Sequence, residues 1–193
     1  METFDTITAR RSVRKYAEQA VSDDALDKLL QAATSAPSGL NLQPWYFVVV
    51  KSPERQQELL AIMENVSIKI AEELDTRFAK YPQVAAETKQ FIRHLGNAPV
   101  MILVFLLRDD YPDEHTACLS VAAATENLLL AARDMGIGTC WLTASNQTGY
   151  SGQIRDTFAP GKGKLIATVS LGYPDGDSWP KAVKKKDGRY AIV

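Results

Sequence analysis

Residues 100–107, Val-Met-Ile-Leu-Val-Phe-Leu-Leu, form an unbroken apolar run bounded by Pro99 and Arg108. No polar residue alternates with the apolar ones, so a strand built from this run has no face suited to water. The segment predicts a central strand covered on both sides. At eight residues it is far short of the roughly 20 apolar residues a helix needs to cross a bilayer. Immediately C-terminal, residues 115–135 form the longest helical stretch, with Ala117, Leu119, Val121, Ala122, Ala124, Leu128, Leu129, Ala131 and Ala132. Apolar side chains cover most of its circumference, which predicts a helix buried nearly all round. Its alanines would let a second backbone come close.

Outward from this pair, the remaining elements follow from period and punctuation. Residues 3–11 read as a short first helix that runs into a basic cluster. Ser22 is a suitable N-cap for a second helix carrying Leu26, Leu29, Leu30 and Ala33, ended by Pro37-Ser38-Gly39. Residues 45–51, rich in aromatic and β-branched side chains, read as a strand. Pro53 opens a helix whose apolar stripe runs through Leu59, Leu60, Met63, Val66, Ile70, Leu74 and Phe78. Pro82 interrupts it, and a shorter helix covers residues 87–94. A turn at Gly136-Ile137-Gly138, a strand over 139–143, a helix over 153–158 and a strand over 165–171 follow. The expected fold class is helix-rich α+β, a single domain over residues 1–193. Its sheet has four or five strands, antiparallel or mixed, surrounded by helices.

Composition agrees with an ordinary globular domain: 193 residues, 46% hydrophobic, 23% charged and a formal net charge of −1. At this length roughly 70% of the unfolded chain's surface is buried on folding, so no disulfide or metal staple is needed. Intrinsic disorder, collagen-like repeats and small disulfide scaffolds are excluded. The first residues carry acids and no apolar signal core, and the two cysteines, Cys118 and Cys140, form no framework. The expectation is therefore a reduced, cytoplasmic compartment and no membrane partner. Near-neutrality hides two basic clusters, at residues 10–15 and 181–189, on a chain that is otherwise acidic. Short clusters favour a local anion site over nucleic acid, which would want a basic face or stripe.

Most catalytic templates are absent. There is no GxSxG elbow, GxxxxGK[ST] phosphate loop or GxGxxG fingerprint. His94 and His115 are not at metal-ligand spacing, and both cysteines lie in apolar stretches that suit buried, inert thiols. Three segments carry more than scaffold requires. Arg10-Arg11-Ser12-Val13-Arg14 offers guanidinium forks and a hydroxyl suited to phosphate, although cations at a helix C-terminus also complement its dipole. Ala36-Pro37-Ser38-Gly39-Leu40-Asn41-Leu42-Gln43-Pro44-Trp45 holds an irregular backbone that could aim amides at a planar polar ligand. A plain helix-to-strand connection uses many of the same residues. In Gly136-Ile137-Gly138-Thr139-Cys140-Trp141-Leu142-Thr143-Ala144, small residues admit a ligand or a backbone closely, or else form a helix C-cap and a core strand.

Taken in order, RRSVRKY, APSGLNLQPWYFVVV, GIGTCWL and VSLGYP resemble the FMN-dependent nitroreductase family along nearly the whole chain. The resemblance implies a nitroreductase-like fold and a homodimer with long interface helices and FMN at the subunit interface. It implies that Arg10, Arg11, Ser12 and Arg14 hold the FMN phosphate and ribityl chain, and that Pro37, Ser38, Gly39 and Asn41 reach the flavin from the partner subunit. Trp141, Leu142 and Thr143 would lie along the isoalloxazine, and Lys184, Lys185 or Arg189 would complete the phosphate clamp. The flavin would carry the redox chemistry, so no protein acid, base or nucleophile is required. The implied activity is ping-pong hydride transfer from NADH or NADPH through flavin N5 to a nitroaromatic, quinone or similar small acceptor. Residues 64–95 would wall the flavin, with Phe78, Tyr81 and Phe91 either stacking on it or belonging to the core. Alternatives are reductive dehalogenation, azoline oxidation, FMN breakdown, or a non-catalytic FMN-binding module.

Overall fold

A computed structural model describes residues 1–193 except Asp177, Ser178, Val183 and Lys185. The apolar run forms strand β2 (Val100–Leu106), buried along its whole length. Strand geometry sends alternate side chains to opposite faces, and the two faces feed two cores. Met101, Leu103 and Phe105 join one core, and Val100, Ile102, Val104 and Leu106 join the other. Leu107, the last residue of the run, lies beyond the strand and is exposed.

β2 sits inside a four-stranded sheet ordered β1-β2-β4-β3, where β1 is Trp45–Val50, β3 is Gly138–Leu142 and β4 is Leu165–Gly172. All three ladders are antiparallel, with a register shift between Val104 and Phe105 against β4. Helix α1 (Thr3–Ala9) and helix α2 (Asp23–Thr34) precede β1. Helix α3 (Pro53–Lys69), α4 (Ala71–Arg77) and α5 (Pro82–His94) lie between β1 and β2. Helix α6 (Glu114–Asp134) links β2 to β3, and α7 (Ala144–Thr148) and α8 (Ser151–Phe158) link β3 to β4. Helices α3, α4 and α5 supply one core and α2 and α6 the other, so the sheet is a middle layer.

Four expectations are corrected in detail. Helix α1 ends at Ala9, so Arg10 and Arg11 lie outside the helix predicted over 3–11; Arg10 is extended, with ψ 136°. The stripe from Leu59 to Phe78 is two helices divided at Ile70, which stays buried while α4 turns onto α5. Helix α6 is buried along one face, through Ala117, Val121, Ala124, Leu128 and Ala132. Leu119 is 57% exposed. Finally, Cys118 is half-buried, not fully buried as expected; Cys140 is buried.

Candidate anion and planar-ligand site

The sheet order leaves β3 at an edge, and the arginine segment closes the start of that edge. Ser12 forms an isolated parallel bridge with Thr139, and the Val13 amide donates to the Thr139 carbonyl at 2.9 Å. Gly138 makes this approach possible: a Cβ there would lie 2.8 Å from Val13 Cβ. Along a strand, backbone groups alternate between the two neighbours. Thr139 points its carbonyl at Val13, so Trp141, two residues on, directs its backbone groups to the same open edge. Trp141 is half-buried, Leu142 is buried, and Thr143 is exposed at the start of α7.

The structure thus joins the first and third sequence segments. It also divides the arginines by role. The Arg10 guanidinium meets the Glu126 carboxylate of α6 at 3.1 Å. Arg11 turns back on its own segment, donating to the Thr8 carbonyl at 2.8 Å and to that of Arg10. Its Nε is buried with no hydrogen-bond partner, and an unmet buried donor costs on the order of 1–3 kcal/mol. Arg14 is exposed and stacked 5.6 Å above the Phe91 ring; among the described residues its one hydrogen bond is a long 3.4 Å contact with the Ser12 carbonyl. Ser12, Arg14 and Arg10 also surround the Cys140 thiol. Burial pushes that thiol's pKa up, against the opposing pull of Arg14, of Ser12 and of Arg10.

Arg14 opens into a cleft of about 820 Å³ lined by Lys15, Tyr16, Phe78, Glu87, Phe91 and Asp175 among others. Of the three aromatics expected near the ligand, Phe78 and Phe91 line this cleft, with Phe91 also in the core. Tyr81 is 66% exposed and is not part of the lining.

The second sequence segment lies elsewhere in the protomer, against the first turns of α6. The Gly39 amide donates to Ser120 Oγ at 3.3 Å, and a Cβ at Gly39 would lie 2.7 Å from Thr116 Cγ2. Ser38 Oγ accepts from the Gln43 amide, and Asn41 Oδ1 from Gln43 Nε2. Leu40, Asn41 and Gln43 all have positive φ, 52°, 55° and 45°. Such backbone costs on the order of 1–3 kcal/mol per residue and collects at functional sites. Pro37 and Leu40 are exposed, Leu40 at 95%. This loop is anchored at Thr116 and Ser120, whereas Arg10 reaches α6 at Glu126. Within the chain the loop and Arg10 therefore stand at different heights on that helix.

Lys184 and Arg189 are exposed on irregular chain, without a hydrogen bond or ion pair among the described residues. Lys185 lies outside the described residues. Sequence reading missed Glu126, Thr139 and Ser120 as partners of the three segments. Only the spacing of Val13 and Tyr16, two buried residues flanking Arg14, carried a signal for how that segment is held.

A family model described as the nitroreductase family matches residues 7–173. A protein of Archaeoglobus fulgidus, named as an NADH dehydrogenase/NAD(P)H nitroreductase, is 31% identical over 180 residues, covering 90% of this chain and 86% of its own. Iodotyrosine deiodinase 1 of Mus musculus is 28% identical over 197 residues; these cover 96% of this chain but only 66% of the deiodinase. A nitroreductase with bound FMN from Bacteroides fragilis aligns in structure with a TM-score of 0.76 at 26% identity, over 100% of this chain and 99% of its own. No helix among the described residues is long and apolar enough to cross a membrane.

Proposed function

The chain belongs to the nitroreductase family, and on that premise we propose that it is an FMN-dependent oxidoreductase using NADH or NADPH. The observation that carries the reading is the arginine segment bound to the open edge of β3. It puts Arg14, Ser12 and an unpartnered Arg11 Nε at one end of a strand whose backbone is open further along. The residues fit the cofactor. An FMN phosphate carries close to two negative charges and needs charge-assisted donors. The ring needs an apolar surface with a few directed backbone groups. The chemistry FMN supplies when bound is two-electron transfer in a ping-pong cycle, hydride passing from NAD(P)H to flavin N5 and then, with a proton, to an electron-poor acceptor.

The protein's own tasks are binding, orientation and exclusion of water. Arg14, the exposed guanidinium of the segment, would hold the phosphate. Arg10 is held ready by Glu126 and Ser12 adds its hydroxyl, while Lys184, Lys185 or Arg189 would join from the tail. Trp141, Leu142 and Thr143 present the edge of β3 to the ring. Pro37, Ser38, Gly39 and Asn41 would reach it from a second copy of the chain, since their own protomer sets them apart from the arginines. The strained, exposed loop and the half-open face of α6 support that homodimer. The acceptor is a nitroaromatic, quinone or similar planar molecule. Steady-state oxidation of NADH or NADPH that depends on such an acceptor tests this reading; flavin that stays oxidised with both donors contradicts it.

Reductive dehalogenation is the second reading, favoured by the 28% identity to a deiodinase across 96% of this chain. In that reaction a carbon–halogen bond is replaced by carbon–hydrogen and halide leaves. Release of iodide from an iodophenol by the reduced protein, without acceptor-dependent NAD(P)H turnover, would select it.

A further inference from the structure

Tyr16 is 9% exposed, and its hydroxyl lies 2.7 Å from the Val13 carbonyl and 2.8 Å from Ser170 Oγ on β4. The Ser170 carbonyl is also within reach, at 3.2 Å; the hydroxyl has one proton, which goes to the nearer Val13 carbonyl, and the phenol oxygen then accepts from Ser170 Oγ. The bond to Val13 closes a ring around Arg14 and Lys15, the two exposed residues between two buried ones. Both ends of that ring are fixed to the sheet. Val13 is held by Thr139 on β3, and Tyr16 by Ser170, by its bridge to Pro174 and by the adjacent Ala17 amide on the Tyr173 carbonyl. The ring of Tyr16 fills a slot cut by two glycines: a Cβ at Gly96 would lie 3.1 Å from its Cε2, and one at Gly172 3.1 Å from its Cδ1. Gly96 also presses on the Arg14 carbonyl, 2.5 Å from where its Cβ would be.

We propose that Tyr16 is a positioning residue for phosphate capture: its hydroxyl locks the Val13–Tyr16 backbone so that Arg14 is preorganised for the phosphate of the bound nucleotide. The inference rests on the FMN reading and adds to it a buried residue that acts through Arg14. Preorganised donors bind more tightly because little ordering is left to be done on association. Burial, the largest cause, raises the Tyr16 pKa well above that of a free phenol. The hydroxyl therefore remains a donor throughout the working pH range.

The test is a Tyr16→Phe variant, with Ser170→Ala as a companion that leaves the tyrosine ring in its slot. Both are titrated with FMN and with riboflavin, which shares the ring but lacks the phosphate. Tyr16→Phe is expected to weaken FMN about tenfold, equivalent to about 1.4 kcal/mol, with riboflavin binding unchanged. Ser170→Ala shifts FMN in the same direction by less. Equal losses for both ligands, or no loss of FMN affinity, would overturn the inference. If Tyr16→Phe fails to fold, Ser170→Ala decides by the same ratio. Wild-type protein that binds FMN no better than riboflavin would instead contradict the phosphate assignment itself.

Discussion

Arg14 and Arg10 differ in what holds them, and that difference sets the predictions at the residue scale. Arg14 is exposed over Phe91, whereas Arg10 is paired to Glu126. Charge-assisted hydrogen bonds are worth roughly 1.5–3 kcal/mol each. Arg10→Ala combined with Arg14→Ala is therefore expected to lower FMN retention at least about tenfold while leaving the fold intact. The flavin-to-protein ratio after desalting, beside the far-ultraviolet spectrum, checks it; stoichiometric flavin in the double variant would sink the assignment. Gly138→Ala tests the seam between the arginine segment and β3. Its new methyl meets the branched Val13 side chain at 2.8–2.9 Å, and overpacking of this kind costs about 1–3 kcal/mol. A lower Tm together with weaker flavin retention is expected. The cations and glycines of this site were legible in the sequence because charge density and small size stand out in one dimension. Glu126 and Thr139 were not, since their pairing with Arg10 and Val13 depends on how α6 and β3 return beside residues 10–13.

At the scale of elements, β2 was readable because its two faces are both core and so leave no alternation to misread. Leu103→Ala in that strand, at 0% exposure, is expected to cost about 2–5 kcal/mol by denaturant unfolding. A loss under about 1 kcal/mol would mean that the two-faced burial is wrong. The division at Ile70 was not readable, because Ile70, Leu74 and Phe78 keep helical spacing on both sides of it. Helix α6 begins at a strong local signal: Asp113 accepts from the Thr116 amide at 3.0 Å and from its hydroxyl. Those bonds hold the Asp113 pKa below the ordinary carboxylate value. A depressed carboxylate stabilises the fold above its unfolded pKa and loses that contribution as pH falls through the folded one. Asp113→Ala is accordingly expected to lower Tm at pH 7 and to have a shrinking effect below about pH 4. Thermal melts of both proteins across that range check the sign, and a deficit that grows on acidification would contradict it.

At the scale of the molecule, the family and the layered α+β fold were legible in the order of four motifs, while the completeness of the site was not. The arginines and β3 come together within the chain, yet Leu40 of the Ser38–Asn41 loop and Leu119 of α6 are exposed. Exposed apolar side chains of this kind suit association, and the proposed homodimer would cover both of them. The proposed homodimer predicts a dimer for the parent protein in light scattering and a monomer with loss of flavin for Leu119→Glu; a monomeric parent protein, or a variant that remains dimeric, would contradict it. The central claim is that this chain binds FMN through the arginine segment on β3. It is tested most directly by the visible absorption spectrum of freshly purified protein, with the released chromophore identified by mass. A flavin spectrum and the mass of FMN are expected. Colourless protein that also fails to take up added FMN would contradict it and turn the arginine cluster into a site for some other anion.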